Sequence, residues 1–499
     1  MGASCWYVPV SMQRLRRGSV SLGLSMLAVV LGSSCGDDDG GGAGTPGGTG
    51  GAAGTGGGTA GGAGGGTGGA GGAGGTATAR WDYTGIIGTG QSLSVGAQAQ
   101  MITAKATMQP FNNLKLSLGT ATVPPFNADD ASLALVPLVE PIRPFASGYP
   151  SAYPANIYGE TPHTAMAAQM TALATAGGLS DFVTIHTVVG ENGQGMSVID
   201  KTATETITGA QTTGRAYAAT LFEVQAIKRL AADKTYGIGA IFLTHGETDA
   251  GSATYDDDML QLWTDYNADL SAITGQTQPI PLFTSQQHGI YMYMPGQAPT
   301  NINPSTLQQW RAGLDHPGQI VCTGPKYQYP YAPDYLHLVP LGYELMGEKY
   351  AQIFYQHVVL GNPWQPLQPL ENTVARNGRV VTVDFQVPVP PLAWDEDLPT
   401  PHEADLTEWA QGRGFEVRMG ATRLTIESVE ILDADTVQIT CTTDVPAGAT
   451  LGYAATSDGA AVSGYSPRLG LLKDSDPFVG EFTQMPQANY SVSFEVPVP

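Results

Sequence analysis

Between Trp81 and about Asn362, short apolar runs alternate with longer amphipathic segments, and this alternation restricts the fold more than any other property of the chain. Ile86-Ile87 runs into Gly88, and Phe182 to Val189, Ile238 to Thr244 and Ile280 to Ser285 read as buried strands. Thr161 to Ala176, Ala216 to Ala232, Asp256 to Ile273 and Leu341 to Val359 repeat apolar residues at three and four, the spacing of one helix face. A strand that is followed by a helix before the next strand pairs in parallel, and the helices then cover both faces of the sheet. The expected class is α/β. Open sheets of this kind hold their chemistry at the carboxyl ends of the strands, so the loops that follow strands are the places to search.

After Pro363 the period changes to two. Val381 to Val387, Phe415 to Met419, Leu424 to Ile431, Val437 to Cys441, Leu451 to Ala455 and Val492 to Val496 are separated by Gly, Pro and Asp turns. Such runs describe an antiparallel β-sandwich over 363–499, following a catalytic region over 80–362. No row of aromatics stands out in it, which favours packing over carbohydrate binding as its role.

The amino terminus reads as an address. Arg14, Arg16 and Arg17 precede an apolar run from Val20 to Leu31, which is too short to span a membrane, and small residues lead into Cys35. Residues 1–35 are therefore expected to be a signal peptide ending in a lipobox-like cysteine, with Cys35 the site of lipidation and plain secretion the alternative. Gly32 stands where bacterial lipoproteins usually carry Leu. Residues 36–79 are nearly all Gly, Ala and Thr and have nothing to bury, so they are expected to form a flexible tether. The GxGxxG matches inside the tether carry no weight, because a dinucleotide site needs a strand before the glycines and a helix after them. The expected location is extracytoplasmic, on the bacterial cell envelope through this anchor or secreted. Past Cys35 only Cys322 and Cys441 remain, and their spacing leaves open whether they pair.

Charge excludes one class of partner. With 22 basic against 44 acidic side chains and a formal charge of −22, the chain lacks the clustered Lys and Arg that nucleic acid requires. Lys115, Arg143, Arg215 and Lys326 are scattered through the catalytic region and form no patch.

Three loops at strand ends carry the chemistry. Gly88-Thr89-Gly90-Gln91-Ser92-Leu93-Ser94-Val95-Gly96 follows the first strand and can hold a serine on a tight turn. It is not a GxSxG elbow, since Ser94 takes the place of the last glycine. Asp334-Tyr335-Leu336-His337 precedes the last helix, where a carboxylate and an imidazole three residues apart can lie side by side. Ile241-Phe242-Leu243-Thr244-His245-Gly246-Glu247-Thr248-Asp249 ends a central strand. In this order the three motifs resemble the SGNH (GDSL-type) hydrolases, and more closely their carbohydrate esterase family 6 and sialate O-acetylesterase-like branch. There the serine stands in Gly-Gln-Ser, a central strand ends in Gln-Gly-Glu-Ser-Asp, and Asp-x-x-His closes the site. The resemblance covers about residues 83–358.

The resemblance implies a flavodoxin-like three-layer sandwich with a parallel central sheet. It makes Ser92 the nucleophile, His337 the general base and Asp334 the group that orients His337. It implies an oxyanion hole from the backbone N–H of Ser92 and a glycine N–H, with Gly190 favoured and Gly193 and Gly159 as alternatives. The chain departs from the pattern at the third donor, where His245 and Thr248 replace the usual residues. His245 can donate through a ring nitrogen or form a structural pair with Glu247, and Asn192 is a spare amide nearby. No metal and no cofactor is expected: His186 alternates within a strand as a core histidine would, and Asp256-Asp257-Asp258 starts a helix face. The expected function is a serine esterase that removes O-acetyl or other acyl groups from an acetylated carbohydrate. The alternative is a surface protein that binds glycan or a partner without turnover.

Overall fold

The computed structural model describes residues 77–117, 126–142, 159–202, 215–289, 298–458 and 464–499, all within one compact unit that runs from Gly66 to Pro499. The expected signal segment with Cys35, the expected tether up to residue 76 and Arg143 lie outside the described residues, as does the side chain of Arg215.

The first half of the unit is a three-layer α/β sandwich. Its strands are β1 (Tyr83–Gly90), β2 (Leu114–Leu116), β3 (Leu135–Pro137), β4 (Val183–Val188), β5 (Tyr236–Thr244), β6 (Leu282–Thr284) and β7 (Ile320–Cys322). Its helices are α1 (His163–Ala176), the single turn α2 (Met196–Ile199), α3 (Arg215–Leu230), α4 (Tyr255–Thr274), α5 (Pro304–Asp315) and α6 (Pro340–Phe354). The strands stand in the order β3-β2-β4-β1-β5-β6-β7. All neighbours are parallel except β2 and β3, which pair antiparallel at one edge. The sheet is thus mostly parallel, as expected, with one antiparallel pair at its edge. The edge hairpin is built from strands of three residues each, too short to leave a periodic signal.

Alternation along the strands divides the core into two layers. Ile86, Ala240 and Phe242 point into one cluster with Met166 and Met170 of α1 and Met346, Tyr350 and Phe354 of α6. Ile87, Ile241 and Leu243 point the other way, against Phe222 and Ile227 of α3 and Leu262 and Tyr266 of α4. β1 lies at the centre: β2, β3 and β4 stand on one side of it and β5, β6 and β7 on the other, so the strand order reverses direction at β1. The crevice at the carboxyl end of β1 is the topological switch point of this sheet.

The second half is antiparallel throughout, as the period of two requires. Val380–Gln386, Ile426–Ile431 and Thr436–Cys441 form one sheet with two short edge strands, and Phe415–Met419, Thr422–Arg423, Thr450–Tyr453 and Phe494–Pro497 form a second. Their inward residues, among them Val381, Val383, Phe415, Val417, Ile439 and Phe494, share one core. That core also takes in Trp310 of α5, Cys322 of β7 and Tyr327, so the sandwich is fused to the α/β layer. Farther on, the segment around Phe482 is clamped to α6. Glu348 accepts the N–H groups of Phe482 at 2.6 Å and Thr483 at 2.8 Å, and Lys349 donates to the Gln487 carbonyl at 2.8 Å. Cys322 and Cys441 are buried free thiols. Burial pushes their pKa values up to about 12 and about 11, which keeps them protonated and unreactive.

Candidate active site

β1 delivers Ser92 to the switch point through a strand end that tolerates no side chains. A Cβ on Gly90, at φ +133°, would lie 2.1 Å from the Thr244 carbonyl oxygen, and one on Gly88 would lie 2.0 Å from His163 Nε2. After Gly90 the chain enters a single 3-10 turn, Ser92–Ser94, stitched by Ser94 N–H to the Gln91 carbonyl and Ala97 N–H to the Ser92 carbonyl. Ser92 heads this turn, so its own N–H belongs to the first-turn donors that lack an intrahelical acceptor. The residue is buried, with 3% of its surface exposed.

The Asp334–His337 loop lies between β7, the edge strand, and α6. Tyr331 and Leu338 form an antiparallel bridge, and Ala332 N–H bonds the His337 carbonyl at 2.8 Å. Inside this clamp Asp334 Oδ1 accepts the N–H groups of Leu336 (3.1 Å) and His337 (3.0 Å), while Tyr335 takes a left-handed φ of 53°. The turn brings Asp334 Oδ2 to 2.6 Å from His337 Nδ1, and His337 Nε2 lies 2.8 Å from Ser92 Oγ. Burial raises the Asp334 pKa, but the hydrogen bonds and charge of His337 and the two backbone N–H groups outweigh it and hold the carboxyl below its usual range. An ionised Asp334 fixes the proton on Nδ1, which leaves Nε2 as an acceptor for the serine hydroxyl. The three side chains that the sequence placed 242 to 245 residues apart from one another or in one turn thus form a continuous hydrogen-bonded chain.

The third loop behaves differently from its expectation. His245 is fully buried at the end of β5, and burial lowers its pKa, so the ring is neutral with one N–H. Nε2 lies 2.9 Å from the Gln194 carbonyl, which can only accept, and Nδ1 lies 2.8 Å from the Tyr255 hydroxyl, which then donates. Both ring nitrogens are engaged, so the expectation that His245 donates to an oxyanion does not hold. Its pairing with Glu247 does not hold either, because Glu247 Oε1 instead accepts from Lys326 Nζ at 2.7 Å, with both side chains almost wholly buried. Thr248 contributes its backbone N–H, which bonds Gln91 Oε1 at 3.1 Å beside the serine.

Gly190 lies against the serine turn: a Cβ there would be 1.7 Å from Ser94 Oγ, and the next residue, Glu191, bonds the Gly90 carbonyl through its N–H at 2.9 Å. Gly193, at φ +67°, forms the tip of the same loop with open space around it. Gly159 abuts the Gly96 carbonyl, where a Cβ would sit 1.9 Å away, and precedes α1. His186 is a satisfied core histidine, with Nδ1 at 2.8 Å from His163 Nδ1 and Nε2 at 2.9 Å from Thr184 Oγ1. Lys115 is spent on the carbonyls of Val139, Pro141 and Ile142. Asp256, Asp257 and Asp258 occupy the first turn of α4, where acidic side chains complement the helix dipole. Sequence reasoning missed Gln91, Gln194 and Tyr255, whose partners lie 157, 51 and 10 residues away and leave no local pattern.

No family model and no curated protein sequence matches the chain. Solved structures do. A carbohydrate acetylesterase from Xanthomonas citri superposes with a TM-score of 0.51 at 12% identity, covering 83% of this chain and 80% of its own. That share exceeds the α/β region alone, so the shared fold extends into the antiparallel half. NanS covers 55% of this chain and 97% of its own at 11% identity, with a TM-score of 0.34. A carbohydrate acetylesterase from Sinorhizobium meliloti covers 54% and 97% at 12% identity, with a TM-score of 0.25.

Proposed function

We propose that the chain is an extracytoplasmic serine esterase that removes O-acetyl groups from carbohydrate. The observation that carries this reading is the chain of two hydrogen bonds from Asp334 through His337 to Ser92 Oγ, at 2.6 and 2.8 Å, at the switch point of the sheet. His337 Nε2 takes the hydroxyl proton as Ser92 attacks the ester carbonyl, and Asp334 stabilises the imidazolium that forms. The tetrahedral oxyanion is received by the Ser92 N–H and a backbone N–H from the loop that begins at Gly190. As the ester C–O bond breaks, His337 gives that proton to the departing sugar oxygen, and water, activated by the same imidazole, then resolves the acyl-enzyme. The carbohydrate acetylesterase fold shared with the Xanthomonas citri protein supports an acetylated sugar as the substrate, and the acidic surface favours a neutral glycan. The arginines, the apolar run and Cys35 at the amino terminus, with the Gly/Ala/Thr-rich stretch after them, support a location on the cell envelope with reach to polymeric substrate, secretion being the alternative.

The test compares the wild-type mature protein with Ser92→Ala on p-nitrophenyl acetate and acetylated xylan. Wild type is expected to turn over both, and the variant to lose kcat by a factor on the order of 10⁵ to 10⁶ while staying folded. Equal rates in the two proteins, or none from folded wild type, would reject the esterase reading.

A further inference from the structure

We infer that the segment from His245 to Asp249 is a frame that fixes the oxyanion side of the site, in which His245 and Asp249 are positioning residues. The inference rests on the esterase reading for its consequence in catalysis, but its structural content stands on its own. The loop after β4, residues 189–196, is tied down at two ends. At its start the Val189 and Glu191 N–H groups bond the carbonyls of Gly88 and Gly90, which seats Gly190 on the serine turn. At its far end, two ties come from the frame. His245 Nε2–H bonds the Gln194 carbonyl at 2.9 Å, and Asp249 Oδ2 accepts the Met196 N–H at 2.7 Å. The Asp249 carboxylate also fills the space beside Gly195, where a Cβ would lie 2.7 Å from Oδ1.

The frame is itself anchored. Tyr255, the first residue of α4, is fully buried, donates to His245 Nδ1 and stacks on the ring with 8° between planes. The Gln194 carbonyl, which can only accept, sets the tautomer with N–H at Nε2, and the Tyr255 hydroxyl complements it by donating to Nδ1. Between its two anchored residues the frame bonds Gln91, the neighbour of Ser92, through the Thr248 N–H. One segment therefore holds the residue before the serine and the loop opposite it. Donors that receive an oxyanion act only if they are fixed before charge develops, and a displacement of about 1 Å can cost on the order of 10²-fold.

Four variants test this: His245→Leu, His245→Gln, Asp249→Ala and the double variant His245→Leu/Asp249→Ala, each checked for folding by thermal unfolding. Two readouts are used, kcat and KM on p-nitrophenyl acetate and amide hydrogen exchange of residues 189–196. His245→Leu and Asp249→Ala are each expected to lower kcat roughly 10- to 100-fold with KM little changed. Because both release the same loop, the double variant should fall well short of the product of the single effects. Exchange in 189–196 should quicken in each. His245→Gln, whose amide can offer an N–H to Gln194 and an oxygen to Tyr255, should recover most of the loss. Unchanged exchange, or losses that multiply in the double variant, would overturn the inference. If folded wild type is inactive the esterase reading fails, and the exchange measurement alone decides whether the frame exists.

Discussion

At Gly88 there is no room for even a methyl group, because the imidazole of His163 occupies the place where a Cβ would go. That imidazole is in turn held by His186, and burial drives the pKa of His163 down to about 3, so the pair is neutral at any ordinary pH. Gly88→Ala should therefore separate two buried histidines from their only good geometry, at a cost of about 1–3 kcal/mol from overpacking. Denaturant unfolding measures it, and the same change made in a His163→Ala background should cost far less. An equal cost in both backgrounds would show that the clash is not with His163. Ser92 and His337 are legible from sequence for a related reason. A strand end poor in side chains and a three-residue Asp-to-His turn are local features, and local geometry is written in adjacent residues.

At the scale of elements, the segments that carry Ser92 and His337 are joined by a carboxyl clasp. Thr103, in the loop after Ser92, donates its N–H to Glu160 Oε2 at 2.6 Å, and its hydroxyl lies 3.1 Å from Glu160 Oε1 and 2.8 Å from Glu344 Oε1. Glu160 precedes α1 and Glu344 lies on α6, the helix that follows His337. One hydroxyl proton is shared between two carboxyls, which favours a proton on Glu160. Burial, with Glu344 and Glu140 adding to it against the Thr103 N–H, pushes the Glu160 pKa up to about 8. Burial likewise lifts Glu140 to about 7 against its bonds from Thr161 and Ile142 and the charge of Lys115. A carboxyl raised in the folded state contributes stability that is present below its unfolded pKa of about 4.5 and is lost as pH rises through the folded value. Carboxyls held low, such as Asp334 and Asp395, act only at the acid end. The buried histidines, neutral in the fold, add stability as pH rises to about 6.5, so the melting temperature should fall above that, between about pH 7 and 9, and Glu160→Gln should flatten that fall. A melting temperature that stays level or rises over this range would refute the clasp.

Across the whole molecule, the antiparallel half supplies part of the core of the α/β half. Trp310, Cys322 and Tyr327 are buried among its side chains, and Lys349 and Glu348 of α6, both largely buried, find their partners on the segment from Asp476 to Gln487. Removing residues 363–499 would expose that apolar surface and strip Glu348 and Lys349 of the segment they pack and bond against. A fragment ending at Asn362 is expected to be insoluble or unfolded by circular dichroism, and a soluble, cooperatively melting fragment would contradict the shared core. The alternation of strands and helices, the change to period two after Pro363 and the two motifs at strand ends were determined by the sequence alone, because each depends on residues close in the chain. The role of His245, the pairing of Glu247 with Lys326 79 residues away and the fusion of the two halves were decided only by the tertiary structure. A polar side chain states what it can bond, but a buried one must take whichever partner the packing brings within reach, and that choice is made by contacts distant in sequence.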